Sequence, residues 1–308
     1  MPSESDDTLS FHTLFSSPLV SIVDYRCRAG CGHQTTEEHS DSNDIVLLRN
    51  GAFCRHFGAN IVTADVNRVV FFSKESTYRV SHPSEHGDRG TVLRLSPNVL
   101  GEMVRELLHQ PDAEIESFAF QSGVCTPEIF LKHRDLIIKL EDVADEQSLD
   151  RVWADVTALE LAAEILESAF AQQQSLNIDR KRRHATAASH AEQVEGAQIY
   201  LSSHFTEHIT LETVARAVHA SPFHMSRIFQ QHTGMPIHRY LTRLRLRTSL
   251  ERLTEFEGEL GTLALDIGFS SHSHFADAFQ REFGQPPSRM TPNARKQLIQ
   301  EVSKNLKA

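Results

Sequence analysis

Phe229-Gln230-Gln231-His232-Thr233-Gly234-Met235-Pro236 returns fifty residues later as Phe279-Gln280-Arg281-Glu282-Phe283-Gly284-Gln285-Pro286. Upstream of each copy, Leu211-x-x-Val214-Ala215-x-x-Val218 returns as Leu260-x-x-Leu263-Ala264-x-x-Ile267, this time at a shift of forty-nine. One residue is therefore inserted between the two matching blocks of the second copy, at or near Gly268-Phe269. An internal repeat at this spacing marks a duplicated supersecondary unit. Thr210 is placed to cap a leading helix, small Ala215 permits a close helix crossing, Ser221 with Pro222 opens a second helix, and Gly234 stops it. Each copy thus reads as helix, short turn, helix.

On the second helix of the first copy, Met225, Ile228 and Phe229 form the apolar stripe. At 100° per residue, Phe223, Ser226, Arg227 and Gln230 then occupy the opposite face, next to the cap at Ser221. In the second copy Phe275, Ala278 and Phe279 are the stripe, leaving Ser273, Ala276, Asp277 and Gln280 outward. A polar outward face on the second helix of such a unit is what a DNA major groove admits. Between the copies, Pro236–Leu253 reads as one helix bearing Arg239, Arg243, Arg245, Arg247 and Arg252, a spacer that would hold two recognition helices at a set separation. A plain helical bundle needs the apolar stripes, but not the repetition of caps, stops and polar faces.

Charge divides along the chain in the same sense. The 308 residues carry 31 Lys+Arg and 41 Asp+Glu, a net charge of −10. Residues 1–178 hold 14 and 28 of these, whereas residues 179–308 hold 17 and 13, so the first part is acidic and the second weakly basic. An acidic partner for the second part fits that balance. The hydrophobic fraction of 40% is ordinary for globular domains. Four cysteines cannot staple a chain of this length, and the acidic start and the Ser/Thr/His-containing run Thr8–Val23 suit neither a secretion signal nor a membrane span. Cytoplasmic location with reduced thiols is expected.

From Leu19 to Leu95 the chain reads as short strands: Leu19–Tyr25, Asp44–Leu48, Ala52–Phe57, Ile61–Thr63, Arg68–Phe72, Tyr78–Val80 and Thr91–Leu95. Bends are expected at Arg49-Asn50-Gly51 and Phe57-Gly58-Ala59-Asn60. The span suits a compact, cupin-like sandwich or barrel. Helical periodicity takes over from Pro97 to about Gln174, most clearly along Val152, Val156, Leu159, Ala163, Leu166 and Phe170. The fold class is then α+β. Residues 1–175 form a β-rich cupin-like sensor and dimerisation domain, helical after about 95; a basic linker follows at 176–191, a double helix-turn-helix domain at 192–295, and a C-terminal tail at 296–308.

The stretch Val194–Thr291 resembles the DNA-binding domain of the AraC/XylS transcription regulators. The matching pieces are Leu211–Ala215, Ser221, Arg227-Ile228-Phe229, Gly234, Tyr240-Leu241, Arg245-Leu246, Ile267-Gly268-Phe269, Phe275, Phe279 and Gly284–Ser288. Asp277, Ser249 and Met290-Thr291 depart from the family pattern. The resemblance implies a sequence-specific regulator without catalytic residues or cofactor, binding double-stranded DNA as a homodimer. It further implies control by a small effector in the first domain, and contact with RNA polymerase where it activates.

Two rivals for the first domain rest on Cys27-x-x-x-Cys31-x-His33, with His39, Cys54 and His56. One is a metal or thiol sensor fused to the DNA-binding domain. The other is a cupin-type metal-dependent enzyme, which would draw on Glu37, Glu38, His39 and His82. Cys27 ends an apolar strand, where a thiol is ordinarily a small core hydrophobe, the spacings match no closed zinc pattern, and no His-x-His start is present. No metal ligand is therefore assigned from sequence. The alkylation-repair regulators carry a four-cysteine zinc site with a Cys-x-x-Cys pair; Cys27, Cys31, Cys54 and Cys125 contain none.

Overall fold

The computed structural model describes residues 8–30, 34–58, 60–83, 87–109, 117–142, 150–180, 184–253 and 259–290, with the backbone alone at 174–180 and 184–188. Cys31, His33, the 181–183 part of the expected linker and the tail at 296–308 lie outside it. Among the described residues, the first part has nine strands and three helices, and the second part is helical.

Strands β1 (Leu9–Ser16), β2 (Val20–Cys27), β3 (Glu38–His39), β4 (Asp44–Phe57), β5 (Asn60–Asp65), β6 (Arg68–Phe72), β7 (Thr77–Ser81) and β8 (Asp88–Leu95) come first. Helix α1 (Pro97–Leu108), strand β9 (Ser122–Val124) and helices α2 (Pro127–Glu141) and α3 (Arg151–Arg180) follow. The main sheet runs β1-β2-β8-β4-β6-β9, while β5 and β7 pair with β4, and β3 with β7.

Strand β4 organises this part. Its first half pairs with β8 and β6, and its second half with β5 and β7, so one strand passes from one sheet into the other. The bend expected at Arg49-Asn50-Gly51 is not a turn: the strand runs through it, with a register slip against β8 between Leu48 and Asn50. A bulge bends a strand without ending its ladder. Gly51, at φ 75°, is required there, because a Cβ would lie 2.1 Å from the Gly87 carbonyl oxygen. Strand β1 was not among the expected elements; it pairs antiparallel with β2 along almost its whole length.

Inside, Phe71 packs against Phe118 and Phe120 at 5.0 and 4.6 Å between ring centres, and Phe120 meets Phe170 of α3 at 4.9 Å. Helix α3 lies close to the sheet because its inner face is mostly alanine. Ala154, Ala158, Ala162 and Ala169 are buried with Leu161, Ile165 and Leu166, and a Cβ on Gly123 of β9 would stand 3.2 Å from that of Ala169. The stripe expected from sequence describes this face only in part: Leu166 is buried and Phe170 packs on Phe120, but Val152 and Val156 are 73% and 48% exposed. Alanine fills little of a core but permits close approach, so a pattern weighted toward large apolar residues points away from it.

A balanced network of buried charge braces the domain. Arg49, fully buried, pairs with Asp24 and Glu141, Arg89 pairs with the same two acids, and Arg134 pairs with Glu251 at 2.6 Å. His133 sits among them, its Nε2 2.9 Å from Thr91 Oγ1. Burial, with Arg49 and Arg134 adding repulsion, holds its imidazole well below the ordinary histidine range. The folded protein therefore binds fewer protons here than the unfolded chain. That stability is present above the unfolded pKa of about 6.5 and is lost as pH falls below it toward the folded value. Chemical denaturation between neutral and mildly acidic pH should show a midpoint that falls with pH, and more shallowly in His133→Gln; equal slopes would exclude His133 as a source.

The second part comprises α4 (His184–His204), α5 (Leu211–Ala217), α6 (Pro222–Thr233), α7 (Ile237–Leu253), α8 (Leu260–Asp266) and α9 (His272–Phe283), closed by a short 3-10 turn at Pro287–Met290. The stretch expected as a linker is helical on both sides of 181–183, since α3 reaches Arg180 and α4 begins at His184. Its Ala- and Gln-rich composition favours helix wherever packing permits.

Candidate nucleic-acid interface

Thr210 and Thr213 form a reciprocal capping box that opens α5. The turn into α6 closes with the Ala220 N–H donating to the Ala215 carbonyl at 2.9 Å. In the second copy the Phe269 N–H donates to the Ala264 carbonyl, also at 2.9 Å. The two turns therefore match through Phe269, and the inserted residue is Ser270, just before the cap. Gly268, at φ 89°, lets the backbone close over the end of α4, where a Cβ would come within 2.8 Å of two carbonyl oxygens, Phe205 and Thr206.

Ser221 caps α6, accepting from the His224 N–H at 3.3 Å, and Ser271 does the same for α9 with His274 at 3.2 Å. Ser271 was not among the expected site residues, although adding fifty to Ser221 finds it. Both helices stop on a left-handed glycine, Gly234 at φ 73° and Gly284 at φ 72°.

The two copies also repeat in exposure at the positions of both faces. Met225, Ile228 and Phe229 are buried in α6, and Phe275, Ala278 and Phe279 in α9. Phe223, Arg227 and Gln230 are exposed, with Ser226 half-buried; Ser273, Asp277 and Gln280 are exposed, with Ala276 half-buried. Phe223 is 82% exposed, a position no core explains. Gln280 differs from its counterpart in donating to the Gly284 carbonyl at 2.9 Å, which turns its amide back onto the end of its own helix.

Helix α7 joins the two units, but it is more than a spacer. Arg247 is fully buried and donates to the carbonyls of Val66 (2.7 Å) and Cys125 (3.0 Å), with its guanidinium 4.7 Å from the centre of the Phe130 ring. The Tyr240 hydroxyl donates to Asp65 at 2.5 Å and Ser202 donates to the same carboxylate at 3.0 Å, while Asn67 donates to the Tyr240 carbonyl. Burial raises the Asp65 pKa, against the donors that stabilise its anion. Glu195 of α4 pairs with Arg68 at 2.8 Å and accepts from the Thr63 N–H at 2.8 Å. Glu251, near the end of α7, joins Arg89 and Arg134 of the first part. The strand-rich and helical parts thus meet along a polar, largely buried seam that carries the helix between the two units.

Of the described soft-ligand residues picked from sequence, His39, Cys54 and His56 have separate surroundings, while Cys27 and His82 come together. His39 pairs in register with Thr77, Cys54 is buried on β4 with its thiol pushed up to about 12 by burial, and His56 stands 2.6 Å from Ser81 Oγ. Cys27 meets other partners. Its Sγ lies 3.3 Å from His82 Nε2, and Asp88 Oδ2 lies 3.0 Å from that same nitrogen. A nucleophile-base-orienter relay uses the two ring nitrogens for different partners, so this is not one.

Two helix-turn-helix units of equal exposure pattern, tied by one helix, define a DNA-binding module behind a strand-rich domain. A family model described as a helix-turn-helix domain matches residues 214–292. The transcriptional activator RhaS of Enterobacter sp. (strain 638) is 26% identical over 82% of this chain and 85% of its own length. The bifunctional transcriptional activator and DNA repair enzyme AdaA of Bacillus subtilis is 31% identical over 29% of this chain and 43% of its own. Among solved structures, an AraC-type regulator from Chromobacterium violaceum covers 32% of this chain and 88% of its own at 23% identity and a TM-score of 0.31. ToxT of Vibrio cholerae covers 88% and 97% at 10% identity and a TM-score of 0.33. Residues 214–292 thus carry a helix-turn-helix domain, and most of the chain is similar to RhaS-type transcriptional activators. None of its described helices is long and apolar enough to cross a membrane.

Proposed function

We propose that this chain is a one-component, cytoplasmic transcription regulator that binds specific double-stranded DNA through α6 and α9 and catalyses no reaction. The observation that carries this reading is the repeated exposure pattern of the two helices, with polar groups exposed on one side and phenylalanines buried on the other. Ser221, Phe223, Ser226, Arg227 and Gln230 face one major-groove segment; Ser273, Ala276, Asp277 and Gln280 face the next. The cupin-like first domain takes a small effector and pairs the chain into a homodimer, and an activating complex also engages RNA polymerase. The seam around Arg247, Tyr240 and Asp65 supports this division of labour, because any shift in β4 to β6 reaches the helix that spaces the two units. Mobility-shift titration against fragments selected from genomic DNA tests the reading; no selective retention of any fragment would overturn it.

The two units should not contribute equally. Asp277 stands fifty residues after Arg227, and its carboxylate is repelled by phosphate. If the second unit mainly holds the backbone, Asp277→Asn should tighten binding to operator and scrambled duplex alike, more so at low salt. A loss confined to operator would show instead that Asp277 accepts from a cytosine amino group.

A fragment of residues 185–308 should fold and bind DNA with lower affinity than the full chain, having lost dimerisation. It should also melt lower, since Arg247, Tyr240 and Glu195 lose the groups they meet across the seam. Circular dichroism melting and mobility shift on the same preparation check both; an unfolded or DNA-inert fragment would overturn the boundary.

A further inference from the structure

Cys27 at the end of β2 meets His82, just after β7, and Asp88, at the start of β8, and none of the three belongs to the recognition helices or to the seam contacts made by α7. We propose that these three side chains form a binding site for a divalent, thiophilic metal ion of the zinc class, set into the first domain beside its contact with α4.

The placement is built by the fold. Cys27, at the end of β2, is the direct cross-strand partner of Asp88 at the start of β8. His82 enters from the residue after β7. Two left-handed glycines let the backbones close around them: a Cβ on Gly87 would lie 2.1 Å from the Cys27 carbonyl oxygen, and one on Gly51 would lie 2.7 Å from Asp88 Cα. All three donors are buried, at 9%, 5% and 4% exposure.

Their geometry lets an ion take the place of the hydrogen bonds they now make to one another. The ligating atoms all lie within 4.8 Å of one another. Around a tetrahedral zinc ion, sulfur to nitrogen would be roughly 3.6 Å and nitrogen to oxygen roughly 3.3 Å, given the usual bond lengths. The observed separations are 3.3 and 3.0 Å, so each pair need open by only about 0.3 Å. The donors also suit the charge: one thiolate, one carboxylate and one neutral imidazole balance a divalent cation. A thiolate with imidazole selects against magnesium and calcium. Three protein ligands leave a fourth position for water or another donor, which is the pattern of an exchangeable site rather than a closed structural one.

The position gives binding a route outward. Pro83, next to His82, accepts a hydrogen bond through its carbonyl from Ser203 Oγ of α4 at 3.0 Å. Holding His82 on an ion therefore acts, through Pro83, on the helix that precedes the first helix-turn-helix unit.

The test uses the reduced, metal-stripped full chain titrated with cobalt(II). A near-ultraviolet thiolate-to-cobalt charge-transfer band should saturate near one equivalent, disappear on adding zinc, and be absent in Cys27→Ser. It should persist in Cys31→Ser, Cys54→Ser and Cys125→Ser. In His82→Gln and Asp88→Asn the apparent affinity should fall roughly tenfold or more. Zinc should raise the Tm of the parent and leave that of Cys27→Ser unchanged. Absence of the band in the parent, its survival in Cys27→Ser, or its loss in Cys54→Ser instead would overturn the proposal. Should Cys27→Ser fail to fold, as judged by circular dichroism, the parent together with His82→Gln decides the matter: equal affinities exclude the site.

Discussion

Arg227→Ala should weaken operator binding by on the order of 1–3 kcal/mol, roughly 5- to 150-fold, and leave the melting temperature almost unchanged. Arg227 is exposed on α6 next to the buried Ile228, so truncation removes no core contact. A guanidinium at that position can donate two parallel hydrogen bonds to a guanine edge, a contact that non-specific DNA of other sequence does not return. The loss should therefore be larger on operator than on scrambled duplex, and sequence preference should relax at one base pair. A phosphate contact would behave differently, weakening both duplexes alike and flattening the salt dependence. Mobility-shift titration on the two duplexes at two salt concentrations distinguishes these outcomes. Unaltered operator binding would mean that α6 does not enter the groove by this face.

Arg247→Ala should be among the most destabilising single changes in the protein. It withdraws the donors that satisfy the Val66 and Cys125 carbonyls, and it leaves Glu282, 3.9 Å away, with Arg243 alone. A buried acceptor left without a donor costs about 1–3 kcal/mol, so the total, with the cavity beside Phe130, is on the order of 3–5 kcal/mol. For a chain of this size that corresponds to a fall in Tm of roughly 5–15 °C. Because the lost contacts join the two parts, the melt should also separate toward two transitions, with the strand-rich and helical parts unfolding at different temperatures. Arg239→Ala, on an exposed turn of the same helix, should change Tm little. Equal effects of the two substitutions would contradict the seam.

Seen from the sequence, Arg239, Arg243, Arg245, Arg247 and Arg252 are one basic helix, and a solvated face is the natural reading of five arginines. Only the packed structure separates them. Arg247 is fully buried, Arg245 is turned onto the Phe205 and Glu207 carbonyls, and Arg239 is exposed. The difference lies in which neighbour each side chain meets, and those neighbours are up to 181 residues away in the chain.

The recognition units were legible because their determinants are local. A serine caps the helix it precedes, a left-handed glycine ends the one it follows, and residues three and four apart share a face; duplication repeats all three at a fixed shift. The sequence by itself therefore determined the two helix-turn-helix units, their outward faces and the helix that joins them. Tertiary structure alone decided the rest. Strand β4 carries through its bend because a bulge and Gly51 fit against Gly87, α3 approaches the sheet because its inner face is largely alanine, and Cys27 meets His82 and Asp88 rather than His39. Each of these depends on pairing between distant strands, where a register set by many weak contacts, and not any local residue pattern, brings the partners together.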